Sequence, residues 1–262
     1  MYMKLISLNT WSGKYFEALI DFIKKHQDTD IFCFQEIFDT TSKIKTYKDL
    51  RANLLSEIKN ILPDFNFFYF PALFDYDNNA IKVNFNLSFG LAIFVKKIIS
   101  VDYHQNYFIY KSKASKGLLR DFSNLPIPLQ VISFHAKDKK FLIFNFHGTP
   151  FPPPKTDTPN RINQSKYIKK ILNFFYGAKI LVGDFNLLPQ TQSIKLLDNV
   201  MQNLIKKYKI ERTRSRISSF WGREDFQKFA DYTFVSKEVN VKNFTVPDVE
   251  ISDHLPMILQ FS

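Results

Sequence analysis

The chain has 262 residues, 45% of them apolar and 23% charged, globular values that exclude collagen, low-complexity protein and disorder throughout. A single cysteine, Cys33, excludes an intramolecular disulfide framework and a multi-cysteine metal site. Lys and Arg number 36 against 25 Asp and Glu, for a net charge of +11, and such a surface favours polyanions: nucleic acid, anionic lipid head groups or phosphorylated small molecules.

Met1–Lys4 leads straight into an alternating pattern, with neither an apolar core segment nor a small-residue cleavage site, so no secretion signal is expected. No stretch is long and apolar enough to span a bilayer. The expectation is a cytoplasmic protein. Lys4–Leu8 reads as a strand. Tyr15–Lys25 has helical spacing, with Phe16, Leu19, Ile20 and Ile23 on one face, and Ile31–Gln35 reads as a buried strand. Tyr47–Leu62 reads as a helix stopped before Pro63. Strands follow at Asn66–Phe70, Ser88–Lys96, Ile98–Asn106, Leu129–Ala136 and Phe141–Phe146, the last two joined by a hairpin turn at Ala136–Lys140. After a rigid Pro-rich loop, Phe151–Pro154, a helix is expected over Asn160–Tyr176 with Gly177 as its stop. Lys179–Val182 is a strand and Ser193–Lys207 helix-like; Asp231–Ser236, Val241–Val246 and Pro256–Gln260 complete the strands. No repeat or long linker divides the chain, so residues 1–262 read as one domain, an α/β (α+β) arrangement of two sheets packed face to face with helices outside.

Polar residues collect where these apolar strands end. Leu181-Val182-Gly183-Asp184-Phe185-Asn186 presents a carboxylate and an amide two residues apart, which on extended backbone face the same way. Asp can orient a water or bind a hard cation, and Asn can hold an oxyanion; the same residues are also common in turns. Ile251-Ser252-Asp253-His254-Leu255-Pro256 offers a metal ligand and a general acid or base, or else a solvated loop. Asp231 heads the strand Asp231-Tyr232-Thr233 and can hold His254 in one tautomer. Glu36, after Phe34-Gln35, is a candidate hard-metal ligand suited to Mg²⁺. Phe144-Asn145-Phe146-His147 ends a strand in an imidazole, and Ser7-Leu8-Asn9 ends the first strand in an amide. Taken singly, each of these also reads as a cap, a turn or a satisfied buried side chain.

In this chain order and at this separation, the set resembles the endonuclease/exonuclease/phosphatase superfamily over Leu8–Leu259, with Gly183–Asn186 and Ser252–Pro256 as its most specific motifs. The resemblance implies a four-layer α/β/β/α sandwich of two mixed sheets, a site at one end of the sheets, Mg²⁺ or Mn²⁺, and hydrolysis of a phosphate ester. It implies Glu36 as the main metal ligand with Asn9 beside it and Asp253 approaching the metal. Asp184 would orient or deprotonate the attacking water, Asn186 would contact the phosphate, and Asp231 would pair with His254. His254 would contact the scissile phosphate or manage protons. His147 matches a second histidine of the deoxyribonuclease and sphingomyelinase branches and counts against the abasic-site endonucleases.

Basic residues would hold the rest of the substrate. Lys116, Arg161 (with Gln164) and Arg214 (with Arg212) are candidates to line the mouth of the site, within or beside basic clusters at Lys111–Arg120, Lys166–Lys170 and Lys206–Arg216. Nucleic acid, DNA before RNA, is the first substrate expected, because contacts from Lys and Arg to phosphate dominate such binding. A phospholipid or sphingomyelin head group, served by exposed apolar loops at Asn66–Phe74 or Phe151–Pro154, is the second, and a phosphomonoester such as an inositol phosphate the third. A monomer is expected. A catalytically dead binding scaffold is disfavoured, because the set from Asn9 to His254 is complete.

Overall fold

The computed structural model describes residues 2–111 and 125–262. Lys116 and most of the Lys111–Arg120 cluster therefore lie outside the described residues. In the first half the elements are β1 (Met3–Asn9), α1 (Phe16–Lys25), β2 (Ile31–Asp39), β3 (Thr46–Tyr47), β4 (Leu50–Arg51), α2 (Leu54–Ile61), β5 (Phe65–Phe74), β6 (Ser88–Lys96) and β7 (Val101–Tyr110). In the second half they are β8 (Ile127–Ala136), β9 (Lys139–His147), α3 (Pro159–Phe174), β10 (Ala178–Asp184), α4 (Gln192–Asp198), β11 (Gln202–Asn203) and α5 (Leu204–Lys207). β12 (Asp231–Val235), β13 (Val241–Thr245) and β14 (Met257–Phe261) follow.

Two six-stranded mixed sheets result, ordered β13-β14-β1-β2-β6-β5 and β11-β12-β10-β9-β8-β7. Side-chain alternation in the first sheet makes two cores. Leu5, Ile31, Cys33, Ile93 and Val95 join the cluster shared with the second sheet. Their neighbours Ile6, Phe32, Phe34 and Phe94 point the other way, onto Leu19, Ile20 and Ile23 of α1 and Leu54, Leu55 and Ile58 of α2. The second sheet is covered by Ile168, Ile171 and Leu172 of α3 and Ile194 and Leu197 of α4. The helix–sheet–sheet–helix sandwich is thus written in a period of two within the strands, and each such side chain buried contributes roughly 1.5–3 kcal/mol.

Register brings the polar strand ends together. β1 and β2 run parallel with Asn9 opposite Gln35. β9 and β10 run parallel with His147 opposite Asp184, and antiparallel β12 sets Asp231 opposite the same Asp184. β14 returns antiparallel to β1 with Met257 opposite Ser7, so the preceding Asp253-His254 segment lies at that end too. Between the sheets, Gln35 Nε2 donates to Asn145 Oδ1 at 2.6 Å, and Asn145 Nδ2 donates to the Phe34 carbonyl at 3.1 Å. This buried amide pair ties the two sheets together just below the site.

The expected elements differ from the structure in three places. The expected helix over Tyr47–Leu62 is only α2; its first part is the β3–β4 hairpin, where Lys48 has φ 54° and Leu50 packs with Phe38, Val83 and Leu87. The helix expected over Ser193–Lys207 breaks into α4, β11 and α5, because Asn203 binds Asp198 through Nδ2 and caps α5 at the Lys206 N–H. The strand expected from Ile98 begins at Val101 and runs to Tyr110; Ile98 is in a turn and 90% exposed.

Candidate active site

The site forms from the ends of five strands and the loop before β14. Glu36 sits in a bulge of β2, between Phe34 and Ile37, with φ 58°. A left-handed backbone at a glutamate costs roughly 1–3 kcal/mol and marks a position held for its side chain. Gly183 has φ 137°, and a Cβ there would meet the Phe146 carbonyl oxygen at 2.0 Å; only glycine lets β10 lie this close to β9 just before Asp184.

Asn9 joins the carboxylates. Its Nδ2 donates to Glu36 Oε1 and to Asp184 Oδ2, both at 3.0 Å, while its Oδ1 accepts the Trp11 backbone N–H at 3.0 Å. The amide orientation is fixed by chemistry, since only the NH₂ end can face two carboxylates. Asn9 was expected beside the metal ligand Glu36, and it stands between Glu36 and Asp184 with its oxygen turned to the Trp11 N–H. His147 Nε2 lies 3.7 Å from both Glu36 Oε1 and Asp184 Oδ2. Glu36, His147 and Asp184 form one group whose ligand atoms lie within 4.8 Å of one another, and Asp184, Asp231 and His254 form a second. Asp253, expected to approach a metal, belongs to neither group: its Oδ2 is taken by Arg214 at 2.8 Å.

Asp184 and Asn186 are both a turn and part of the site. Asp184 Oδ1 accepts the Asn186 backbone N–H at 2.8 Å, and Asn186 has φ 53°, which Asn tolerates better than most residues. Asn186 Nδ2 donates to the Gly148 carbonyl at 3.2 Å. His254 Nδ1 bonds both oxygens of Asp231, at 2.8 and 2.9 Å, as the strand-end pairing suggested. Arg214 donates to His254 Nε2 from the other side. Arg214, expected to line the mouth of the site, is clamped between His254 and Asp253.

Charge is densely paired here. Burial raises the Glu36 carboxyl, and the neighbouring Asp253 raises it further, against the pull of His147 and the Asn9 bond. At Asp184 burial also pushes upward, but His254, His147, Lys155 and Arg214 outweigh it and hold the carboxyl below its ordinary value. For His254, burial and Arg214 favour the neutral ring, yet Asp231, Asp253 and Asp184 raise it to about 9. An imidazolium has no lone pair for Arg214. Positive charge among the carboxylates would weaken that preference and favour the neutral ring that the Arg214 bond requires. A divalent cation therefore fits the donor set: hard carboxylate oxygens crowded together, with Glu36 and Asp231 both held above their ordinary values.

Arg161 does not line the mouth. It is 1% exposed, and its guanidinium donates to the carbonyls of Thr149, Pro152, Pro154 and Thr156. Those bonds use all five of its N–H groups, so the side chain clamps the Pro-rich loop. Gln164, expected beside it, is likewise buried and bonds Thr149 Oγ1. The cation that the loop does bring to the site is Lys155, which sequence reasoning missed: its Nζ donates to Asn186 Oδ1 at 2.6 Å and to the Pro150 carbonyl. Burial draws its pKa down to about 8. The available signal was a lone lysine after three prolines, between a strand-end histidine and a helix cap.

A strand-end histidine, a second histidine on the loop before β14, buried carboxylates and cations at the edge of a two-sheet sandwich are the groups of a metal-dependent hydrolase of phosphate esters. The chain belongs to the Endonuclease/Exonuclease/phosphatase family, whose model matches residues 6–254. No curated protein sequence matches the chain. Solved structures share its fold at low identity. An endonuclease/exonuclease/phosphatase from Bacteroides vulgatus has a TM-score of 0.72 at 17% identity, covering 100% of this chain and 99% of that one. A mannosyl-6-phosphatase from Bacteroides thetaiotaomicron has 0.71 at 18%, covering 99% of each. The human Nocturnin catalytic domain has 0.65 at 18%, covering 100% and 93%. Among the described residues no helix is long and apolar enough to cross a membrane.

Proposed function

We propose that this protein is a Mg²⁺-dependent phosphodiesterase that acts on nucleic acid, DNA before RNA, in the cytoplasm. The observation that carries the substrate reading is the company of half-buried and exposed aromatics with cations on segments leading out of the site. Trp11, two residues after Asn9, has Lys14 Nζ 4.4 Å from its ring centroid and stacks with Tyr15. Trp221, on the loop after Arg214, is 44% exposed, with the Arg212 and Arg216 guanidiniums 5.2 and 5.9 Å from its ring centroid. Rings and cations together suit stacked bases and backbone phosphates, and the net charge of +11 points the same way. A cavity of about 80 Å³ opens beside Glu36 and His147 and is walled by Leu73, Phe89, Pro126 and Phe151. Its apolar wall suits a base ring better than a cluster of sugar hydroxyls. The larger cavity, about 800 Å³, is lined by Lys179 at the start of β10, away from Asp184.

Glu36 would hold the ion, with Asp184 and His147 at its side. When bound, Mg²⁺ neutralises phosphoryl oxygens and lowers the cost of charge that develops on them. Asp184, held ionised by its neighbours, orients a water and accepts its proton. Asn186 donates toward the phosphoryl oxygens, Arg214 donates to His254 Nε2, and Asp231 keeps that imidazole in one tautomer. In the mannosyl-6-phosphatase relative the substrate class is a phosphomonoester, which gives the competing reading. Cleavage of single- and double-stranded DNA, RNA, mannose 6-phosphate and sphingomyelin vesicles, each with Mg²⁺, separates them. Nucleic acid is expected to be cut fastest, with binding that weakens with salt at a log–log slope of about −0.9 for each duplex phosphate neutralised. Turnover of the sugar phosphate or the lipid, with no nucleic acid bound at low salt, would overturn the reading.

A further inference from the structure

Arg161 holds the Pro-rich loop after β9 by gathering its carbonyls from Thr149 to Thr156. Lys155 lies inside that clamp. Its backbone carbonyl accepts the Leu188 N–H at 2.8 Å, which ties it to the loop that carries Asp184 and Asn186. Its ammonium reaches the same loop at Asn186 Oδ1 and returns to the Pro150 carbonyl. Among the described residues no carboxylate lies within 4.0 Å of Nζ, whereas Lys4, Lys14, Lys48 and Lys96 each have one. An ammonium has three N–H groups; two are used on oxygens, and the third has no oxygen partner among the described residues, although the Phe151 ring centroid lies 5.7 Å from Nζ. Asn186 likewise spends one N–H on Gly148 and keeps one.

We propose that Lys155 is a catalytic residue of this site, a ligand for the phosphoryl group whose spare N–H and charge act beside the spare N–H of Asn186. The inference rests on the phosphoesterase reading above. Two adjacent donors held by fixed partners make a preorganised anion site, which needs no rearrangement as negative charge builds on the phosphoryl oxygens. Burial has already weakened the hold of Lys155 on its proton, against the pull of Asp184 and Glu36, and an arriving phosphate adds to their counter-charge. The bond to Asn186 Oδ1 also fixes which end of that amide faces the substrate.

The test compares wild type, Lys155→Met and Lys155→Arg for hydrolysis of bis(p-nitrophenyl) phosphate at saturating Mg²⁺, with inhibition by inorganic phosphate and the melting temperature followed alongside. Lys155→Met is expected to lower kcat/KM about 10²-fold, as loss of one preorganised donor does elsewhere. It should also weaken inhibition by phosphate while leaving the melting temperature in place, and Lys155→Arg should recover most of both. A Lys155→Met enzyme close to wild type overturns the proposal. So do equal losses in the two variants that track a fall in melting temperature with phosphate inhibition unchanged, because that is a loop-rigidity role. If wild type hydrolyses no phosphate ester, the parent reading fails instead. Direct titration with inorganic phosphate then decides Lys155 by itself: weaker binding in Lys155→Met supports it, and equal binding overturns it.

Discussion

Asp184→Asn is expected to remove at least about 10³-fold of kcat while leaving the protein folded, the loss being of the size that positioned general bases contribute. The substitution keeps volume and shape but removes the charge. The Asn186 N–H can still be accepted by the new amide oxygen, so the turn survives. The cost falls on the other oxygen, where Asn9 Nδ2 donates and where His147 and His254 lie 3.7 and 3.6 Å away. An NH₂ group there would face the Asn9 NH₂ and could accept no proton from a water. Some stability at neutral pH should be lost, because His254, His147, Lys155 and Arg214 hold the Asp184 carboxyl below its ordinary value, so its ionised form favours the folded state. The check is kcat on any hydrolysed phosphodiester beside a urea melt. More than about a tenth of wild-type kcat would remove Asp184 from the chemistry.

The second large effect concerns Asp231 and His254. The imidazole lies between a carboxylate on Nδ1 and Arg214 on Nε2, and it is 2% exposed. Asp231 therefore sets both the tautomer and the angle of the ring. Asp231→Asn is expected to cost on the order of 10³-fold in kcat/KM, because an amide can present its NH₂ to Nδ1 and turn the tautomer around. His254→Ala should cost a similar factor, and the double variant little more than the worse single one, since groups acting as a unit are strongly non-additive. Losses that multiply would mean independent roles. Folding is checked by circular dichroism, since His254→Ala leaves Asp231 buried with fewer partners. Thr213 Oγ1, which accepts the Ala230 and Asp231 backbone N–H groups at 3.0 and 3.1 Å, keeps the start of β12 in place in every variant.

What was legible in the sequence and what was not divides along physical lines. Strands buried on two faces, such as Phe32-Cys33-Phe34, announce themselves as apolar runs, and the polar residue ending each run pointed to the rim where Asn9, Glu36, His147, Asp184 and Asp231 now meet. Register made that meeting possible, and register is a property of pairing that no single segment carries. The side chains that were misjudged are those whose role depends on which backbone carbonyls fold back toward them. Arg161 looks like any helix-face arginine until the Pro-rich loop wraps it. Lys155 looks like a loop lysine until Asn186 arrives from 31 residues away. Asn9 offers both an oxygen and an NH₂, and the two carboxylates and the Trp11 N–H that fix its orientation come together only in the fold. The hairpin of β3 and β4 was hidden because Leu50 and its neighbours satisfy a helical period as readily as the small cluster around Phe38.

The account turns on a divalent cation held by Glu36, and the most direct measurement is the rate of phosphodiester hydrolysis as Mg²⁺ is titrated into EDTA-stripped protein, wild type beside Glu36→Gln. Wild type should show no turnover before Mg²⁺ is added and a saturable rise afterwards. Glu36→Gln should move the midpoint upward by more than about tenfold, as loss of a metal-site group does elsewhere, with the melting temperature of the metal-free protein unchanged or higher. Full activity in EDTA, or a Glu36→Gln midpoint equal to that of wild type, would contradict it.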